Sequence, residues 1–228
     1  MKTAIDFVDN CSAIVFDLDG TLMHTEPDIR RATNQALLDC GFQTLAPEQV
    51  IPNLYGPLPD ILSSVMTLVN APAVAADDIE QAYLTHYARQ AHDHSFLYPN
   101  VLDLLEQLRS RGYQLAVCTN KIEISAKQAL DRHGLSSYFS VVTGGDTTAQ
   151  VKPHALPLLT TIDALKAQTS DCLLIGDTHV DALCASNCSI PFIFHRSGYG
   201  DDSVQQYPVA ASFKAYSEIC RQQETSTR

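Results

Sequence analysis

The sequence predicts an α/β protein: a doubly wound parallel sheet, covered by helices on both faces and interrupted once by an all-α insert. Three observations predict it. From about residue 97 onward, short apolar runs alternate with helical patterns, which is how strands buried on both faces read. Between about residues 24 and 96 only helical periodicity is found, over a length too great for an ordinary connection. Chemistry-bearing residues follow the apolar runs directly, where such sheets bind their ligands.

Taken in order, Ala13-Ile14-Val15-Phe16 is a buried strand. Thr25-Glu26-Pro27-Asp28 reads as a helix start with Thr25 as cap. Ile61, Leu62, Val65, Leu68 and Val69 make one apolar helical face, and Ile79, Tyr83 and Tyr87 another, with Gly41, Gly56 and Pro72 as punctuation. Pro99-Asn100 opens a helix with Val101, Leu104, Leu105 and Leu108 on one face, ended by Gly112. Residues 114–118 form the next strand, and a helix near Ser125–His133 is closed by Gly134. A strand at 139–142 leads to a helix carrying Leu156, Leu159, Ile162 and Leu165. Cys172-Leu173-Leu174-Ile175 is the fourth strand, a short helix follows Thr178, and residues 190–194 are the fifth strand, with Pro191 placing it near a sheet edge.

Composition narrows the function. The chain has 228 residues, 45% hydrophobic, enough for a sizeable core without staples. A net charge of −11 argues against a sequence-independent nucleic-acid binder or an anionic-membrane binder. It leaves room for a small anionic substrate, because a bound metal inverts the field at one site. Seven cysteines without a CxxC pair read as reduced thiols of a cytoplasmic protein. Cys118 and Cys172 read as core filler. Met1–Asp6 has no apolar signal core, and no run approaches membrane-spanning length.

The strand exits carry the chemistry. Asp17 and Asp19 follow the first strand and point the same way if the chain stays extended; Gly20 then lets it turn. Paired carboxylates repel unless a cation stands between them. They also suit a nucleophile, an acid/base and a metal, whereas a plain polar strand-to-turn junction is the bland reading. The second strand exits into Thr119-Asn120-Lys121, the third into Gly144-Gly145-Asp146 and then Val151-Lys152-Pro153, and the fourth into Gly176-Asp177-Thr178-His179-Val180-Asp181.

With these residues in place, the chain resembles the phosphatases of the haloacid dehalogenase (HAD) superfamily. The carrying residues are Asp17-Leu18-Asp19-Gly20-Thr21-Leu22, Thr119-Asn120-Lys121, Lys152-Pro153, and Gly176-Asp177 with Asp181. Gly145-Asp146-Thr147, Val151-Lys152-Pro153-His154, Pro157-Leu158-Leu159 and Tyr55-Gly56-Pro57-Leu58 look most like its phosphoglycolate phosphatase branch. The resemblance implies a Rossmann-like core of residues 1–23 and 97–228 with a helical cap of residues 24–96. It implies Mg²⁺ held by the Asp17 carboxylate, the Asp19 backbone carbonyl and Asp177. Asp181 would orient Lys152 or a metal-bound water, and Gly20 and Gly176 would support the motifs. Asp17 is then the nucleophile and Asp19 the acid/base. The Thr119 hydroxyl, the Asn120 N–H and the Lys152 ammonium would hold the phosphate. Departures are His24, where many relatives carry Asp; His179-Val180, where polar residues and Asn are frequent; and Asn187-Cys188, in place of Ala-Gly.

The function this implies is Mg²⁺-dependent hydrolysis of a small phosphorylated metabolite, with 2-phosphoglycolate first. A pyrophosphatase, nucleotidase, sugar-phosphate phosphatase or phosphomutase is the alternative within the class. A non-catalytic phosphoacceptor module is the alternative outside it, though such a module needs neither the helical insert nor a second Asp. In the cap, Arg30, Arg31 and Arg89 are the candidates for a second substrate anion. His86, His92 and His94 read as a solvated face, His133 as a helix end, Asp77-Asp78-Glu80 as a first helical turn, and Gly198-Tyr199-Gly200 as a flexible loop whose role the sequence does not show. Cys184 and Cys188 share a helical face with no second ligand pair nearby. Monomer and homodimer are both open.

Overall fold

The computed structural model describes residues 3–90, 92–200 and 202–220. A short helix α1 (Ala4–Val8) precedes strand β1 (Ala13–Phe16). A two-residue strand β2 (Met23–His24) leads into helices α2 (Glu26–Asp39), α3 (Leu58–Leu68) and α4 (Ala76–Arg89), and strand β3 (Phe96–Leu97) leads back. Helix and strand then alternate as α5 (Val101–Ser110), β4 (Gln114–Cys118), α6 (Glu123–Arg132), β5 (Val141–Thr143), α7 (Ala155–Leu165), β6 (Cys172–Gly176), α8 (His179–Asn187), β7 (Phe192–His195) and β8 (Ala211–Phe213). Met1 and Lys2 of the opening segment, and residues 221–228 at the other end, lie outside the described residues.

Six strands form one sheet in the order β5-β4-β1-β6-β7-β8, every pair parallel. The chain builds outward from β1 on one side and then on the other, so the C-terminal end of β1 lies at the switch point. The period of two decides which side chain goes where. Ile14, Phe16 and Leu18 enter the core beneath the leucines of α5, while Ala13 and Val15 enter the opposite core under α7 and α8. Asp17 and Asp19 therefore follow the parity of Ala13 and Val15. A third apolar cluster lies wholly between Ile29 and Tyr87, so the inserted helices have a core of their own. The β2–β3 ribbon, antiparallel, ties the two ends of the insert together.

Several expectations need correction. Thr25 holds the cap position of α2, but its hydroxyl bonds the Tyr199 hydroxyl at 3.3 Å instead of capping the helix. Its backbone N–H and that of Glu26 are both met by the Tyr199 hydroxyl, at 2.7 and 3.0 Å. Leu68, Leu156 and Leu159 are exposed; α7 buries Pro157, Leu158, Thr161, Ile162 and Leu165 instead. The sequence places Pro153 in the first turn of the helix after Lys152; it stands before α7, whose cap is His154. β7 does lie near a sheet edge, one strand in, because β8, absent from the sequence reading, pairs with it and takes the edge; Pro191 precedes the strand. Only three residues, Ala211-Ser212-Phe213, make β8, too few to show a period.

Of the three cap histidines only His92 is buried rather than on a solvated face; His94 is exposed and His86 half-buried. His92 is 2% exposed and packs edge-on against Tyr87, and burial pushes it down to about 4. His86 pairs with Asp39 at 2.7 Å. His94 pairs with Asp28, a fully buried carboxylate that also accepts the Ser95 N–H and hydroxyl, each at 2.6 Å. Asp28 thereby fastens the start of α2 to the returning segment.

Candidate active site

The ladder does not stop where the strands do. The Asp17 N–H donates to the Ile175 carbonyl at 2.9 Å, and Thr119 N–H to the Thr143 carbonyl at 3.0 Å. Both residues are thus fixed by backbone bonds one position past β1 and β4. After Asp17 the chain folds back sharply: Gly20 adopts φ +84°, and its N–H reaches the Met23 carbonyl at 2.7 Å. A Cβ at Gly20 would lie 2.3 Å from an Asp177 oxygen, so two reasons require glycine there.

Lys152 is the cation of Asp17. Its Nζ lies 2.8 Å from Asp17 and 2.6 Å from Asp181, with almost no solvent contact. Burial alone would lower this lysine, but the carboxylates of Asp17 and Asp181 overturn that and hold it well above the usual range. Asn120 fixes the lysine from behind. Its side chain accepts from the Lys152 N–H at 2.9 Å and donates to the Lys152 carbonyl at 3.1 Å.

Asp181 is saturated. One oxygen takes Lys152, and the other accepts from the Asp177 N–H, the Thr178 N–H and the Thr178 hydroxyl, closing a capping box on α8. Gly176 leaves the space, since a Cβ there would stand 2.5 Å from the Asp181 carboxyl carbon. Asp177 accepts from the Thr21 hydroxyl at 2.7 Å and from the Tyr199 N–H at 2.6 Å.

Asp17, Asp177 and Asp181 bring carboxylate oxygens within 4.8 Å of one another, all buried. Burial pushes Asp17 up to about 7, with Lys152 pulling down and Asp181 pushing further up. Asp177 is raised well above the usual carboxylate range, by burial and then by Asp181 and Asp17. One lysine faces three acids. That excess of buried negative charge, offered entirely by oxygen, fits a hard dication.

Asp19 has a separate counter-ion, so the two motif carboxylates do not share a cation. Lys121 Nζ lies 3.0 and 3.2 Å from its two oxygens and 4.8 Å from the centre of the Tyr87 ring. The Thr119 hydroxyl accepts the Lys121 N–H at 3.2 Å. Asp146, at the third exit, does not join the site. It accepts the Glu123 N–H at 2.7 Å at the start of α6, while Gly145 N–H bonds the Lys121 carbonyl at 2.8 Å. That exit contributes support for the 119–123 loop, plus Lys152.

Sequence reasoning missed three participants. Lys121 was quoted in a motif but given no work. Tyr199 stands in the loop whose role the sequence leaves open; its backbone holds Asp177 while its hydroxyl holds the first turn of α2. His195, at the end of β7, donates from Nδ1 to the Gly20 carbonyl at 3.0 Å and is 1% exposed. The available signal was only a polar residue following an apolar strand. His24 stacks on Phe96 at 4.9 Å with its Nδ1 buried and unpartnered. His179 meets the Tyr55 ring edge-on at 4.9 Å. Tyr55 also accepts from Asn120 through its carbonyl, at 3.3 Å.

His195 sets a pH dependence of stability. Burial pushes it down to about 4. Between that value and an unfolded value near 6.5, the unfolded chain holds a proton the folded chain does not, so this contribution rises with pH. Relative to His195→Asn, the wild type should lose about 2 kcal/mol of its advantage between pH 7 and pH 5. Urea titrations of both proteins at the two pH values measure it. A gap that does not move with pH would mean His195 charges freely in the folded state.

The model of the haloacid dehalogenase-like hydrolases matches residues 14–195 of this chain. The chain belongs to that family. Among curated members of known name, the phosphoglycolate phosphatase of Agrobacterium fabrum is 32% identical over 82% of this chain and 81% of its own length. The plasmid-encoded phosphoglycolate phosphatase of Cupriavidus necator is 36% identical over 83% and 82%. Among solved structures, a Haemophilus somnus 129PT protein described as a predicted phosphoglycolate phosphatase superposes with a TM-score of 0.85. It is 25% identical and covers 92% of this chain and 96% of its own. Among the described residues of this HAD hydrolase, no helix is long and apolar enough to cross a membrane.

Proposed function

We propose that this HAD hydrolase is a Mg²⁺-dependent phosphomonoesterase acting on 2-phosphoglycolate, releasing glycolate and phosphate. The observation that carries the reading is the pair of aspartates at the exit of β1, each with its own lysine, in a chain whose curated relatives named phosphoglycolate phosphatase align along most of its length. Asp17 is the nucleophile: a carboxylate oxygen attacks phosphorus in line and the ester oxygen leaves. The Thr119 hydroxyl, the Asn120 N–H and the Lys152 ammonium bind the transferring phosphoryl oxygens. Asp19 gives its proton to the departing oxygen. It then takes one from the water that hydrolyses the aspartyl phosphate, leaving by P–O cleavage from Asp17. Mg²⁺, when bound by Asp17, Asp177 and the Asp19 carbonyl, offsets the charge of the phosphate. Asp181 holds Lys152 in register, consistent with a carboxylate whose oxygens are already bonded. Residues 24–96 act as a cap over this centre. The Asn120–Tyr55 and His179–Tyr55 contacts are what such a cap needs to close.

A panel of phosphorylated metabolites at matched concentration tests the substrate. 2-Phosphoglycolate should rank first. Pyrophosphate or a nucleotide better by tenfold in kcat/KM, about 1.4 kcal/mol, would replace it.

Metal binding should carry a proton signature. Asp17, pushed up to about 7, holds a proton below that value in the metal-free protein. Mg²⁺ takes the ionised form, so binding releases that proton and weakens as pH falls below 7. Calorimetry in the absence of substrate should show Mg²⁺ affinity roughly tenfold lower at pH 6 than at pH 8, with net proton release at pH 6. Equal affinities and no release would place the metal away from Asp17.

A further inference from the structure

We propose that Lys121 is the receptor for the second negative charge of the substrate, so that this enzyme selects organic phosphates bearing an anion beside the ester. The inference rests on the phosphomonoesterase reading and deepens it. A small cavity, about 40 Å³, lies between the inserted helices and the sheet. Its walls are mostly apolar: Ile29, Leu54, Leu58, Ile61, Tyr83 and Tyr87 are among them. Asp19 and Lys121 are the charged residues in its lining. Asp19 is the group that must stand beside the leaving oxygen, so the leaving alcohol enters here. So narrow a space favours a short leaving group.

The arginines of the insert do not supply the missing cation. Arg30 is committed within the insert: it donates to Glu26, to the Ala46 carbonyl at 2.9 Å and to the Gln49 carbonyl at 2.6 Å. Arg31 and Arg89 are exposed and do not line the cavity. Lys121 reaches it from the sheet side. Its ammonium has three N–H donors, and the bonds to Asp19 engage two acceptor oxygens. A third donor remains for an incoming carboxylate. The face of Tyr87 favours the same cation from the insert side. In 2-phosphoglycolate a single methylene separates the ester oxygen from the carboxylate. An alcohol oxygen at Asp19 therefore sets that carboxylate within reach of an ammonium already bonded to Asp19. Low-dielectric walls strengthen such a contact, and the Lys121 ammonium repels a cationic tail.

The test compares 2-phosphoglycolate with 2-hydroxyethyl phosphate and 2-aminoethyl phosphate, on the Mg²⁺-loaded wild type, Lys121→Met and Lys121→Arg. Wild type should prefer 2-phosphoglycolate. Lys121→Met removes the counter-ion of Asp19 and so affects every ester; the test is the difference, a loss in kcat/KM on 2-phosphoglycolate at least about 100-fold larger than on the neutral ester, mostly through KM. On 2-aminoethyl phosphate the same variant should lose less than on the neutral ester. Lys121→Arg should restore part of the loss, most of all on the anionic ester. Equal losses on all three esters would overturn the proposal and make Lys121 a positioning residue for Asp19; no loss on any would overturn it too. The wild-type panel separates the two levels of inference. If a different anionic ester outranks 2-phosphoglycolate, the substrate reading falls, and the Lys121 variants are judged on that ester against its neutral analogue. A wild type that favours neutral esters overturns the Lys121 proposal outright.

Discussion

Asp17→Asn will show turnover reduced on the order of 10⁴-fold or more, on every phosphate ester alike, in a protein that is no less stable. The amide cannot attack phosphorus, and it is a poor metal ligand. Stability follows from the charge balance. Asp17 is a carboxylate pushed up to about 7 by burial, so its ionised form strains the folded state at neutral pH. Replacing it by a neutral isostere removes that strain, and Lys152 keeps Asp181 as its partner at 2.6 Å. Without metal, the variant should melt at or above the wild-type temperature. Added Mg²⁺, which raises the melting temperature of the wild type by binding its folded form, should do so far less in the variant. Residual turnover above about 1% would move the nucleophile to another residue.

Asp19→Asn should divide substrates by their leaving groups. Its side chain pairs with Lys121 rather than with the Asp17–Asp177–Asp181 cluster, so Mg²⁺ binding should survive. What disappears is proton transfer, typically worth 10²–10⁴-fold. An alkyl phosphate leaves as a strong base and needs the proton; an aryl phosphate leaves as a weak base and hardly does. Water attack on the aspartyl phosphate needs Asp19 in either case. An aryl phosphate should therefore give a burst of about one phenolate per enzyme and then slow turnover, and an alkyl phosphate no burst. Phosphate trapped after the burst should sit on Asp17. Equal slowing of both substrates without a burst, or loss of Mg²⁺ affinity, would make Asp19 a structural or metal-binding carboxylate.

What the sequence made legible was set by short-range order. β1, β4 and β6 are apolar runs apart from Gln114 at the start of β4; the residues after β1 and β4 are fixed by the same ladder that forms the strands, and Asp177, after β6, by its N–H to Asp181. Asp17, Thr119 and Asp177 could therefore be placed by counting. Lys152 could be suspected for its position before a helix, but its burial against Asp17 depends on Asn120, 32 residues away. Tyr199 and His195 were illegible for the same reason. Their partners, Thr25 and Gly20, lie 174 and 175 residues distant, and neither pair leaves a local pattern. Leu156 and Leu159 failed differently. Nearly every position of α7 is apolar or small, so periodicity could not choose the buried face. His92 was misread because a lone histidine among polar neighbours does not announce an αL backbone and a tyrosine packed against its ring.

The amide of Asn120, bonded to both sides of the Lys152 peptide, bears on when ordering is accomplished. A free lysine samples many rotamers, and confining it costs up to about 2 kcal/mol in lost entropy. Here the backbone of Lys152 is clamped by an amide, and its ammonium is anchored on two carboxylates before any phosphate arrives. The loss of freedom is incurred once, as the chain folds, and is not repeated with each catalytic cycle. In the proposed mechanism, arriving phosphate meets a positive charge that need not be gathered from solution, and departing phosphate leaves it where it was. By this logic Asn120→Ala would leave the phosphate-binding groups chemically intact and yet return a share of that disorder to every turnover.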